Sequence, residues 1–165
     1  VCLSAACHAI DSISVEFGTG NKTKMIRVGV QRDWNRRWPA YDRMDISGYW
    51  DLTLAYWRGS RYRGLLDSTQ QIGDIGLTPT FRLERKDRTG PYAEAGLGMH
   101  FLSAHYDNNE RKLSTNLQFA THLGIGYLLG NGVDVGLKIE HFSNGGIKAP
   151  NNGVNFALLR VAYSF

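Results

Sequence analysis

The sequence predicts an all-β fold, an eight-stranded antiparallel transmembrane β-barrel, on three observations. From Ser12 onward, eight segments alternate apolar and polar residues with period two, separated by turn-rich stretches, and no helical period competes with them. No stretch approaches the ~20 apolar residues that a membrane helix requires, so a membrane protein of this composition has to be a barrel, whose closure satisfies every backbone group. The chain ends on an alternating strand whose last residue, Phe165, is an aromatic on the apolar face, resembling the terminal strands of bacterial outer-membrane barrels.

Each segment carries the pattern separately. Residues 12–18 set Ile13, Val15 and Phe17 against Ser12, Ser14 and Glu16, and residues 24–34 present Ile26, Val28 and Val30 on one face. Residues 46–57 set Trp50, Leu52, Leu54 and Tyr56 against Asp51 and Thr53. Residues 72–84 set Ile75, Leu77, Phe81 and Leu83 against Asp74, Thr78, Thr80, Arg82 and Glu84. Residues 92–104 put Ala93, Ala95, Leu97, Met99 and Phe101 opposite Glu94 and His100, and residues 117–129 put Leu117, Phe119, Leu123, Ile125, Tyr127 and Leu129 opposite Gln118 and His122. In residues 133–143 the row Val133, Val135, Leu137, Ile139 opposes Asp134, Gly136, Lys138 and Glu140. In residues 154–165 Ala157, Leu159, Val161, Tyr163 and Phe165 oppose Phe156, Leu158, Arg160 and Ser164. Trp34, Trp38, Tyr49, Trp50, Tyr56 and Trp57 lie near segment ends and are candidates for an aromatic girdle.

Alternation alone fits two barrels. The ionisable set Glu16, Arg27, Asp51, Asp74, Arg82, Glu84, Glu94, Lys138, Glu140 and Arg160 pairs across a narrow lumen in a membrane barrel. In a soluble lipocalin-like barrel it faces solvent around an apolar interior. Pattern, girdle and terminal aromatic together select the membrane barrel, with a packed polar interior. With both ends in the periplasm, strand parity puts loops 19–23, 58–71, 105–116 and 145–153 outside the cell and turns 35–45, 85–91 and 130–132 inside.

At 165 residues the chain is one domain. Lys and Arg exceed Asp and Glu by 19 to 15, a balance of +4 that suits an anionic surface and falls far short of a nucleic-acid binder. Cys2 and Cys7 lie in the small-residue run of residues 1–9, which reads as a signal-peptide remnant or disordered N-terminus, leaving 10–165 as the barrel. A short disulfide and a lipid-modified Cys7 are the other readings of that run. The remaining chain has no thiol, which suits export through an oxidising periplasm.

His141 and Ser143 continue the apolar row of the seventh segment, because residues i and i+2 of a strand share a face. Facing lipid, such a pair meets a lipid substrate directly, and a serine hydroxyl needs an adjacent base to attack an ester. Incidental polar residues at a strand end in the headgroup zone are the plainer reading of the same spacing. His100, His105 and His122 show no metal-ligand spacing, so neither a metal nor any other cofactor is expected. The glycines of Gly18-Thr-Gly20 and Gly124-Ile-Gly126 lack the strand-to-helix context of a phosphate loop.

The run His141-Phe-Ser143-Asn144-Gly145-Gly146-Ile-Lys148-Ala-Pro150-Asn151-Asn152-Gly153 resembles the signature of the PagL-type lipid A 3-O-deacylases. Supporting likeness extends to Gly48-Tyr-Trp-Asp51, Tyr56-Trp57 and the Glu94-Ala-Gly-Leu-Gly strand. The resemblance implies hydrolysis of the ester-linked 3-hydroxyacyl chain at position 3 of lipid A in the lipopolysaccharide of the outer leaflet. It implies Ser143 as nucleophile, His141 as general base, and Asn144 and Gly146 as side-chain and backbone donors to the oxyanion. The family's acidic residue fourteen positions after the histidine is here Asn155, which parity places on the same outward face as His141 on the neighbouring strand. Glu140 points into the lumen and is no substitute. Lys148 is a candidate contact for a lipid A phosphate, or a solvated loop lysine. Two rivals remain from the sequence: a non-catalytic barrel whose arginine-rich 58–64 loop is adhesive, and the soluble lipocalin-like binder. The hydrophobic outer wall could pair with a second copy as a homodimer, and nothing in the sequence selects that.

Overall fold

A sheet in hydrocarbon has no water to satisfy its edge strands, so it must close on itself. The computed structural model describes residues 10–165, and in it the alternating segments do close. The strands are β1 (Ser12–Gly20), β2 (Thr23–Asp33), β3 (Trp38–Tyr41), β4 (Met44–Gly59), β5 (Gln70–Arg85), β6 (Gly90–Leu102), β7 (Asp107–Asn108), β8 (Arg111–Lys112), β9 (Leu117–Leu128), β10 (Val133–Ser143) and β11 (Val154–Ser164). Eight of them form the barrel in the order β2-β1-β11-β10-β9-β6-β5-β4, and the β2–β4 pairing from Thr23↔Gly59 to Asp33↔Tyr49 closes it. All neighbours are antiparallel. Residues 1–9, with Cys2 and Cys7, lie outside the described residues.

All eight predicted segments are barrel strands, and the apolar rows face outward: Leu54, Leu97, Leu123, Ile125, Leu137 and Ile139 are each more than half exposed. A soluble barrel would bury such residues, whereas here the charged rows are the buried ones. Three features depart from the pattern. The turn expected at 35–45 contains β3, which pairs Trp38↔Ile46 against an early start of β4. Trp34 folds outward over Gly48, where a Cβ would come within 2.1 Å of the indole, and meets Trp38, Trp50 and Phe81 edge-on to build the inner girdle. The loop expected at 105–116 contains the β7–β8 hairpin.

Tyr49 and Trp57 are corrections to the girdle. Both share the parity of Asp51 and Thr53 and point into the barrel, with Tyr49 donating to Glu94 Oε2 at 2.9 Å and Trp57 in an aromatic cluster. The interior is therefore stratified and not polar throughout. Its outer end is an apolar plug in which Trp57 meets Phe142 at 4.7 Å and Phe156 at 4.9 Å between ring centroids, with Met25, Leu102, Leu113 and Leu158 around them. The middle is an ion-pair network. Arg27 bridges Glu16 at 3.0 Å and Glu140 at 2.7 Å, Lys138 meets Glu16 at 2.6 Å, and Arg82 meets Glu94 at 2.7 Å and Asp134 at 3.0 Å. Arg160 completes it against Asp134 and Glu16. At the periplasmic end a polar vestibule of about 440 Å³ opens between Asp33, Ser47, Glu84 and Arg88.

Loop 105–116 folds across the outer mouth. Tyr106, Asn108 and Leu113 are fully buried there. Asn21 donates to Tyr106 Oη and to the Asn108 carbonyl, Arg61 N–H donates to Asn108 Oδ1, and backbone bridges join Tyr62 to Asn108 and Leu113 to Asn151. The loop thus rests on all three other outer loops.

Removing one member of a buried ion pair strands its partner, while removing both does not. Arg27→Met is expected to leave Glu140 buried without its cation and to cost about 3–5 kcal/mol, with Arg27→Met/Glu140→Leu recovering most of the loss. Urea unfolding from lipid vesicles measures both.

Candidate active site

β10 carries Ile139, His141 and Ser143 on its lipid side, and β11 brings Asn155 directly opposite His141 in the ladder. The pairing places an imidazole and an amide side by side outside the barrel: His141 Nδ1 lies 2.6 Å from Asn155 Oδ1. Oδ1 can only accept, so Nδ1 carries the proton in this arrangement and Nε2 is left as the basic nitrogen. That bond is the only side-chain hydrogen bond of His141 among the described residues. His141 and Asn155 are exposed on the wall and Ser143 is half-buried at the end of β10. Ser143 and His141 share a face with Cα atoms roughly 6.5 Å apart, a spacing that a histidine ring leaning toward a serine hydroxyl can close. Their inward neighbour Phe142 is fully buried in the aromatic plug, which anchors the strand between the two outward residues.

Glu140 points inward and is bound to Arg27 through both carboxylate oxygens, at 3.2 and 2.7 Å, so it is not an acid for His141. Likewise His100 is buried against Asp74 at 2.9 Å, with Thr78 Oγ1 at 3.4 Å from its other ring nitrogen. No group of three or more His, Cys, Asp or Glu side chains is arranged to hold a metal among the described residues.

The loop after β10 is braced by its own amides. Asn144 is fully buried; its Nδ2 donates to the Lys148 carbonyl at 2.6 Å and its Oδ1 accepts from Gly146 N–H at 3.0 Å. Asn151 Oδ1 in turn accepts from Asn144 N–H at 3.0 Å. The two residues expected to donate to an oxyanion are thus bonded to each other. At Gly146, with φ +82°, the space a Cβ would take is open, while Lys148 and Ile147 are exposed beside it. The cavity at the periplasmic end shares no residue with this site.

Two contributors to the site escape sequence reasoning. Gly153, at φ +65°, lies against the His141 ring: a Cβ there would come within 2.5 Å of Cε1. Arg111, from the β7–β8 hairpin, donates to the carbonyls of Asn152 at 2.7 Å and Gly153 at 3.1 Å. The Asn151-Asn152-Gly153 run is visible in the sequence, but nothing in its spacing ties it to a hairpin some forty residues earlier.

Comparison with known proteins shows the family to which the chain belongs. The model of the family described as "Lipid A 3-O-deacylase (PagL)" matches residues 24–164. The lipid A deacylase PagL of Pseudomonas aeruginosa is 30% identical over 151 residues, covering 91% of this chain and 83% of that protein. The protein of the same name from Bordetella bronchiseptica is 28% identical, covering 100% of this chain and 93% of its own length. The crystal structure of the outer membrane enzyme PagL superposes with a TM-score of 0.82 at 28% identity, over 93% of this chain and 99% of that one. Neisserial surface protein A, at 12% identity and a TM-score of 0.50, covers 93% of this chain and 94% of its own, and shares the fold alone. With a family match spanning nearly the whole barrel, the chain belongs to the lipid A 3-O-deacylase (PagL) family.

Proposed function

We propose that this protein is a serine esterase of the outer membrane that releases the 3-hydroxyacyl chain at position 3 of lipid A. The observation that carries the reading is the outward-facing His141–Asn155 pair at 2.6 Å, with Ser143 on the same lipid-side face. Lipid A in the outer leaflet reaches the site from the side, its acyl chains lying along the apolar wall below His141.

The chemistry follows from the atoms at hand. Ser143 Oγ attacks the ester carbonyl carbon while its proton passes to His141 Nε2. Asn155 Oδ1, accepting from Nδ1–H, keeps the ring in the tautomer that leaves Nε2 free. The tetrahedral intermediate collapses, the sugar oxygen leaves with the proton from Nε2, and an acyl group remains on Ser143. Water, deprotonated by the same nitrogen, then releases the 3-hydroxy fatty acid. The oxyanion is held by Gly146 N–H, once it leaves Asn144 Oδ1, and by Asn144 Nδ2–H, once it turns from the Lys148 carbonyl, a rearrangement that the open space at Gly146 favours. The Lys148 ammonium, exposed beside this loop, contacts a lipid A phosphate. A homodimer is no part of this reading.

Mass spectrometry of lipid A incubated with detergent-refolded protein tests it. Wild type is expected to remove one 3-hydroxyacyl chain, and Ser143→Ala and His141→Ala to remove none. An unchanged profile with wild type overturns the esterase. Asn144→Ala is expected to lower kcat by about 10²–10³ through loss of the oxyanion loop, read in the same assay. Asn155→Ala is expected to lower it by about 10², because an unheld imidazole rarely presents Nε2 correctly. Asn155→Asp adds a carboxylate that stabilises the charged imidazole, so the acid limb of the pH–rate profile moves to higher pH.

A further inference from the structure

The base of an esterase must be held at a fixed angle to its nucleophile, and the Asn155 contact fixes only one edge of the His141 ring. The opposite constraint comes from Gly153, whose backbone lies so close to the ring that a Cβ would overlap Cε1 at 2.5 Å and crowd Nε2 at 3.2 Å. Gly153 precedes β11 by one residue and would be free to lift away from the ring if nothing held it. The structure shows what holds it. Arg111 Nη1 donates to Asn152 O at 2.7 Å and to Gly153 O at 3.1 Å; Asn152 Oδ1 accepts from Lys112 N–H at 2.9 Å, and Asn152 N–H donates to Lys112 O at 3.1 Å. Two residues beyond Lys112, Ser114 Oγ donates to Pro150 O at 2.7 Å.

These bonds make the β7–β8 hairpin a strut. Its own footing is firm, because Tyr106 and Asn108 are buried in the barrel mouth and tied to Asn21 and Arg61, and Leu113 is buried with its N–H on the Tyr106 carbonyl. Arg111 is an exposed side chain with a planar, multiply donating head, and both oxygens it binds belong to the segment that backs the histidine. A lysine offers a point charge there in place of the forked donor and keeps part of the contact.

We infer that Arg111 is a positioning residue for the esterase: by holding the Asn152 and Gly153 carbonyls it keeps Gly153 against the His141 ring and so limits the orientations from which Nε2 can reach Ser143. The inference rests on the esterase reading for its kinetic consequence but makes a structural claim about His141 that stands separately.

The test compares wild type, Arg111→Ala, Arg111→Lys and Gly153→Ala, each refolded and checked for the heat-modifiable gel shift of a closed barrel. Because misplacing a reacting group by about 1 Å costs on the order of 10²-fold, Arg111→Ala is expected to lower kcat by roughly 10- to 100-fold with KM within about twofold, and Arg111→Lys to recover part of it. Combined with Asn155→Ala, the Arg111→Ala loss is expected to shrink, since both changes free the same ring. Nitrogen-15 NMR of the His141 ring reads the claim without turnover: Arg111→Ala and Gly153→Ala are expected to shift its Nδ1 and Nε2 resonances, with Ser143→Ala as the background. A kcat unchanged in Arg111→Ala overturns the inference. So does a loss that falls on KM, which would make Arg111 a substrate contact, and so do unmoved ring resonances. If wild type does not deacylate lipid A but the resonances shift, the esterase reading falls and the strut remains.

Discussion

The β10–β11 ladder is the constraint on which the rest depends, because a strand has two faces and this pair of strands uses both. On the lumen side, Lys138 and Glu140 of β10 and Arg160 of β11 are locked into ion pairs with Glu16 and Arg27 of β1 and β2. On the lipid side, the same register sets His141 opposite Asn155. A slip by one residue would send the histidine into the lumen and a charge into hydrocarbon. The buried network therefore has a role beyond stability. Desolvating so many charges returns little net free energy even when every one is paired, yet the network leaves β10 and β11 one acceptable pairing and so fixes the outward geometry on which the chemistry depends.

An active site on the wall of the scaffold, as proposed for His141 and Ser143, inverts the usual association of active sites with concave pockets. The cavity of about 440 Å³ lies at the periplasmic end, lined by polar groups, and shares nothing with His141 or Ser143. A substrate anchored in the outer leaflet arrives already concentrated and oriented by the bilayer, so the protein need supply only a strip of apolar wall and a row of polar groups at the right depth. The wall below the site, with Leu123, Leu137 and Ile139 all about three-fifths exposed, is such a strip. The proposed site sits at the strand end, where Ser143 gives way to the Gly145–Gly146 turn, both at positive φ.

What the sequence revealed and what it hid follow from the range of the interactions. Period-two alternation is local, so the eight strands, the outward rows and the shared face of His141, Ser143 and Asn155 could be read directly. Parity alone turns Glu140 into the lumen, where it meets Arg27. The girdle assignment of Tyr49 and Trp57 ignored that same parity in favour of their position near a strand end, and both turned out to point inward. The apolar plug was harder, since Phe142 and Phe156 stand at positions where neighbouring strands carry charge, and only the clustering of strand ends shows that they meet Trp57. Contacts between loops have no period at all. Nothing along the chain announces that residues 105–116 fold over the mouth, or that Arg111 reaches the backbone behind the histidine.

Asn155 is the point at which this chain parts from the signature it otherwise carries, and its position on the outer wall bears on what that exchange does. An ionised carboxylate on a lipid-facing strand is costly to desolvate unless it lies near the interface or is paired with a cation. Glu140, which faces the lumen, meets that requirement with Arg27. A neutral amide fills the position without that cost and still supplies the acceptor that sets the tautomer. In the proposed mechanism, what it gives up is the charge that would offset the imidazolium formed as Ser143 is deprotonated. Orientation is then the whole of what the second partner contributes, which places more weight on the backbone of Gly153 and on whatever holds that backbone still.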